Sequence, residues 1–151
     1  MYAYIYSNYI LMIAEIYSVI PIVYFIYILT KNKVFGLYIL IISIMVDIIK
    51  KIVATDAYPF TLRPTCAANC DLLLSNGPQG LKPGFPSGHM TISTLFALYL
   101  YTTTHNIWHL HLIPLMAYAR YTLKCHNIPQ IIAGIIFGLV SFYFYLNQCQ
   151  L

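Results

Sequence analysis

Apolar runs at about Tyr4–Leu29, Val34–Val53, Ser87–Thr104, Asn106–Tyr121 and Pro129–Leu146 take up most of the chain and leave little else to fold with. A helix that crosses a hydrocarbon core of about 30 Å needs ~20 mostly apolar residues. The chain has 151 residues, 60% hydrophobic and 8% charged. A soluble domain carries about 25% charged residues, so a water-exposed surface could not be covered with what is present here. The same figures exclude a disordered tail. The expected fold is an all-α, polytopic membrane helix bundle of about five transmembrane helices, one integral membrane domain over residues 1–151. The first run lacks a basic n-region and an A-x-A cleavage pattern, which makes it a retained span rather than a removed signal.

One long polar segment, Thr55–Pro86, interrupts this pattern. A loop of that length in a compact domain is usually functional. Counting crossings puts it on the same membrane face as the 120–128 turn. Six of the eight bases (Lys50, Lys51, Arg63, Lys82, Arg120 and Lys124) lie near these two stretches, while Lys31 and Lys33 lie elsewhere. Cations gathered where the chain leaves the membrane suit an anionic ligand or anionic headgroups. Nucleic acid is a poor partner, because no basic helix or soluble stripe is present to carry it. Cys66-x3-Cys70, in the same loop, either closes a small disulfide in an oxidising compartment or remains as two thiols.

Pro86-Ser87-Gly88-His89 stands where the polar loop becomes the third run. Ser87 is a cap residue type, and Gly88 lets backbone approach a ligand closely. The unpaired N–H groups and positive dipole end of a helix start bind anions. His89 beside them is placed to give a proton to a departing oxygen. Arg63-Pro64 precedes this motif, and Arg120-x5-His126 follows it on the same face. An arginine offers a planar fork of donors to phosphate oxygens. Either arginine alone is equally well explained by snorkelling to headgroups. Two arginines and a helix start beside two histidines describe a phosphate pocket with an acid and a nucleophile.

In these motifs the sequence resembles the type-2 phosphatidic acid phosphatases, or lipid phosphate phosphatases, a family that shares its core with the vanadium haloperoxidases. The family pattern is K-x6-R-P, then P-S-G-H, then S-R-x5-H-x3-D. The second motif is complete here, and the third reads from Ala119-Arg120 through His126 to Gln130. Gly134-x3-Gly138 follows with the spacing of the family's next helix, so the resemblance runs from about Lys50 to Gly138. It implies a membrane phosphatase acting on a lipid phosphate or diphosphate, of the phosphatidate or polyprenyl diphosphate type, without metal or other cofactor. It implies His126 as the nucleophile that forms a phosphohistidine, and His89 as the acid and later the base. Arg63, Arg120, Ser87 and Gly88 would hold the phosphoryl oxygens. The active face would lie outside the cytoplasm or in a lumen.

At three positions the sequence departs from the pattern. Asp56 stands seven before Arg63, where the family has lysine, so Lys51 or Lys82 is expected to fill that role, with Lys50 and Lys124 further candidates. Ala119 replaces a serine. Gln130 replaces the aspartate that would orient His126. An amide can keep the imidazole's orientation but cannot offset its developing charge. Slow turnover is the expectation, unless Asp47, Asp56 or Asp71 substitutes. The alternative is a catalytically impaired, phosphatase-like membrane protein with a lipid-binding or structural role.

Overall fold

The computed structural model describes residues 2–55, 57–70 and 77–149. Its helices are α1 (Tyr2–Lys31), α2 (Lys33–Val53), α3 (Gly88–Thr104), α4 (Leu112–Thr122) and α5 (Ile128–Cys149), with 3-10 turns at Pro59–Thr61 and Ile107–His111. No strand longer than an isolated bridge forms among the described residues, so the molecule is all-helical as expected.

Two junctions differ from the hydropathy reading, each for a local reason. Helix α1 continues through Thr30 and Lys31, so Asn32 alone separates it from α2. The Asn32 side chain accepts from the Phe35 N–H at 3.0 Å and caps α2. The fourth apolar run is split. Asn106 accepts from the Trp108 N–H at 3.0 Å and starts a 3-10 turn. The α-helix proper therefore has only 11 residues. At about 1.5 Å per residue it is about 16 Å long, half the hydrocarbon thickness. Among the described residues, Ile128–Gln148 within α5 is the one segment long and apolar enough, by length and composition, to cross a membrane.

Helix α3 is the centre of the bundle and touches the other four α-helices. Its buried residues, Met90, Thr91, Ser93, Thr94, Leu95, Phe96, Ala97 and Leu100, lie all round the helix rather than on one stripe. The main core joins Phe35, Ile39, Ile42 and Val46 of α2 to Leu95 and Phe96 of α3 and to Phe142 and Tyr145 of α5. Phe35 stacks on Tyr99 with ring centres 4.0 Å apart. The outward faces are apolar as well: Ile16, Val23 and Ile26 of α1, Leu37, Ile44 and Ile48 of α2, and Ile132, Ile136 and Tyr143 of α5 are exposed.

Between α2 and α3 the polar segment doubles back on itself. Residues 61–70 and 77–84 run antiparallel, with bridges Leu62↔Pro83 and Ala68↔Pro78. Arg63 N–H donates to Lys82 O at 2.9 Å, Gly84 N–H to Thr61 O at 2.9 Å and Gln79 N–H to Ala67 O at 2.8 Å. What hydropathy presents as a loop is thus a pinned flap that delivers Arg63 to one end of the bundle.

The Gly134-x3-Gly138 spacing marks where α5 lies closest to α3. A methyl group on Gly134 would sit 2.6 Å from Ser87 O and 2.7 Å from Met90 Cβ; one on Gly138 would sit 2.7 Å from Thr94 Cβ and 2.8 Å from Thr91 O. Glycine to alanine ordinarily favours a helix by about 1 kcal/mol. Here overpacking outweighs that gain, at roughly 1–3 kcal/mol. Gly134→Ala and Gly138→Ala are each expected to lower stability, read as an earlier thermal unfolding transition in detergent. A variant as stable as the parent would contradict this packing.

Candidate active site

The start of α3 and the turn between α4 and α5 meet through α5. Ser87 N–H donates to the main-chain oxygen of Gln130 at 3.0 Å, which fixes the first residue of the Ser87-Gly88-His89 motif against the start of α5. The Ser87 side chain makes no capping bond, contrary to the expectation from its residue type. Its hydroxyl is instead buried without a hydrogen-bond partner, as is Nε2 of His89. A buried polar atom left unpaired is costly, so two at the open end of a helix point to a ligand that completes them.

His126 lies in the turn after α4, buried, with its Nδ1 2.9 Å from Gln130 Oε1. The Arg120 carbonyl holds this turn by accepting from Cys125 N–H at 3.1 Å and His126 N–H at 3.3 Å. Arg120 itself is fully buried. Its Nη2 donates to Cys70 O at 2.7 Å and its Nη1 to Ser18 Oγ at 3.2 Å, so its charge is set in place by α1 and by the flap.

Cys70 is bonded to Cys125, with Cα atoms 5.5 Å apart, and Cys66 is a free, exposed thiol. The Cys66–Cys70 pairing considered from spacing is therefore incorrect. The fold carries Cys70 to the turn before His126, a neighbour 55 residues away that local spacing cannot reveal. Disulfide, guanidinium bond and Arg120 carbonyl together close a ring around Arg120.

Of the lysines, Lys50 is the one at the site. Its Nζ would lie 3.2 Å from a methyl group on Gly88, its side chain is only 15% exposed, and it bonds Asp47 at 2.8 Å. Lys51, Lys82 and Lys124 are exposed to solvent, and the structure does not bring them into the cluster. Lys50 together with Arg63 and Arg120 bears electrostatically on both His89 and His126. Burial, then the charges of Arg120 and Arg63, hold the His126 imidazole well below its ordinary range, and it is neutral at pH 7.

The structure thus gathers Arg63, Ser87, Gly88, His89, Arg120, His126 and Gln130 at one end of the bundle, from segments far apart in sequence. Across residues 32–150 the sequence matches the family described as the PAP2 superfamily. The chain belongs to the PAP2 superfamily. Comparison with curated proteins and with solved structures finds no match. Against the PAP2 pattern, Lys50 takes the space above Gly88 from a position six residues upstream of Asp56, which lies outside the described residues, as does Asp71. Asp47 is bonded to Lys50, and Gln130 is the side chain on His126 Nδ1. Sequence reasoning missed the Cys70–Cys125 bond and Ser18, although a cysteine directly before His126 was a usable signal.

A crosslink spanning 55 residues removes loop entropy from the unfolded chain worth about 4 kcal/mol. Cys125→Ser is expected to lose stability of that order, read by denaturant unfolding in detergent under oxidising conditions. An unchanged midpoint would show that Cys70 and Cys125 are not joined in the protein.

Proposed function

We propose that this PAP2 chain is a multi-pass membrane phosphatase that removes phosphate from a lipid phosphate or diphosphate by way of a phosphohistidine. Members of the family are phosphatases. The observation that carries the reading is the meeting of His126, His89 and three cations at the open start of α3. Even with Lys50 paired to Asp47, the net positive charge gathered in a largely buried place favours an anion over any neutral ligand.

The chemistry follows from what each group has to give. Nδ1 of His126 is engaged by Gln130, so Nε2 carries the attack on phosphorus. The phosphorus–oxygen bond to the lipid breaks as the nitrogen–phosphorus bond forms, and the leaving oxygen takes a proton from His89, which has to enter this step as the imidazolium. His89 then takes a proton from water, whose oxygen displaces the phosphoryl group from Nε2 and releases inorganic phosphate. Arg63, Lys50 and the N–H groups at the start of α3 balance charge on the equatorial oxygens. Arg120, with two donors committed to Ser18 and Cys70, contributes mainly as a fixed positive charge.

Two features support a membrane setting. The outward faces of α1, α2 and α5 expose apolar side chains that a water-soluble surface rarely groups together. The Cys70–Cys125 bond at the site end of the bundle suits an oxidising compartment, outside the cytoplasm or in a lumen. The substrate's tail would then lie among the apolar faces with its phosphate at the boundary. Gln130 in place of a carboxylate favours the second reading, a PAP2-like protein that holds a lipid phosphate without turning it over.

Phosphate release from phosphatidate and polyprenyl diphosphate by the purified protein separates the two. Under the phosphatase reading His126→Ala falls to background, and His89→Ala loses about 10²–10⁴-fold in kcat. Equal release by the parent and His126→Ala would remove His126 from the mechanism. Binding of both lipids with no release by the parent would favour the second reading. The depressed His126 imidazole also sets a pH dependence. A nucleophile must be unprotonated, and its neutral form persists further into acid when its proton affinity is lowered. The acid limb of kcat/KM assigned to His126 is therefore expected below pH 6.5, the ordinary imidazole value. A limb at or above that value would contradict the buried, cation-flanked placement.

A further inference from the structure

We propose that Gln130 is a positioning residue whose amide fixes His126 as the Nδ1–H tautomer and ties the Arg63-bearing segment to it, so that glutamine is the required residue here and not a weakened aspartate. The consequences for activity rest on the phosphatase reading; the tautomer does not.

Gln130 Nε2 lies 3.0 Å from Phe60 O and 2.7 Å from Leu62 O. Both neighbours are carbonyl oxygens and accept only, so the atom facing them must be the NH₂ group. Turning the amide over would set oxygen against two oxygens. The assignment that crystallography often leaves to inference is here forced by chemistry. Oε1 then faces the other way, where it accepts from Asn127 N–H at 3.3 Å and meets His126 Nδ1 at 2.9 Å. Because Oε1 can only accept, Nδ1 must carry the hydrogen. The lone pair of the neutral ring is thereby placed on Nε2, the nitrogen needed for attack. Two main-chain carbonyls where the 3-10 turn runs into the flap thus decide the protonation pattern of the nucleophile.

Each bond also constrains a piece of the site. Phe60 and Leu62 lie three residues and one residue before Arg63, and Asn127 Nδ2 reinforces the tie by donating to Phe60 O at 3.1 Å. Asn127 Oδ1 accepts from Gln130 N–H at 3.1 Å. The Gln130 main-chain oxygen holds Ser87. Gly84 closes the remaining space: a methyl group there would lie 2.8 Å from both Gln130 Nε2 and Arg63 Cγ. No carboxylate reproduces this. Aspartate is a methylene shorter than the span from His126 to Leu62. Glutamate has the length but would bring a charged oxygen against the two carbonyls and leave them only the Asn127 Nδ2 donor, 3.1 Å from Phe60 O and 3.5 Å from Leu62 O.

The test uses the purified full chain in detergent, with ¹⁵N-labelled histidine for the ring nitrogens of His126. In the parent at neutral pH, Nδ1 is expected to be the protonated nitrogen and Nε2 the bare one. In Gln130→Ala the ring is expected to move toward the Nε2–H form. For phosphate release, Gln130→Asp and Gln130→Glu are both expected to lose about 10–100-fold in kcat, the size of effect that follows from leaving buried acceptors unpaired. An Nε2–H tautomer in the parent would overturn the proposal. So would either acidic variant matching or exceeding the parent's kcat. The parent's spectrum decides the matter even if every variant fails to fold. A parent that releases no phosphate would sink the phosphatase reading and leave the tautomer result standing on its own.

Discussion

The contact on which the rest of the molecule depends is the close approach of α5 to α3. Gly134 and Gly138 remove the side chains that would keep the two helices apart, and Ser87, Met90, Thr91 and Thr94 fill the space. The hydrogen bond from Ser87 N–H to Gln130 O can form only at that separation. Once it forms, the start of one helix and the turn before the other share a single register. His89 and His126, 37 positions apart in the chain, then face the same cluster of charge.

Around that register the site is held mostly by main-chain atoms. The carbonyls of Phe60 and Leu62 orient Gln130, the carbonyl of Cys70 orients Arg120, and the carbonyl of Arg120 holds the turn that carries His126. Buried amide and guanidinium groups need such partners, and a carbonyl is the least adjustable acceptor available. The pattern explains why a site built from a flap and a turn can be as well defined as one built on helix faces.

Much of this was legible in the sequence, and the remainder was hidden for identifiable reasons. The all-helical class followed from the apolar runs. The family followed from Pro86-Ser87-Gly88-His89 with Arg120-x5-His126, because those motifs in that order resemble the family pattern. Hydropathy alone could not see that Asn106 would divert the fourth run into a 3-10 turn, since capping is decided by one side chain and not by an average. It could not rank the lysines either. Lys50 and Lys51 are adjacent, and only the helical phase of α2 turns the first inward over Gly88 and the second to solvent. The partner of Cys70 and the acceptors of Gln130 lie far off in sequence or on the backbone, where no residue type announces them.

The bond between Cys70 and Cys125 also dictates an order of events during synthesis. Helices α3 and α4 both lie within the stretch of chain that it encloses. The second sulfur emerges only after both of those helices have been made, so the bond can close only once α3 and α4 have brought Cys125 back beside Cys70.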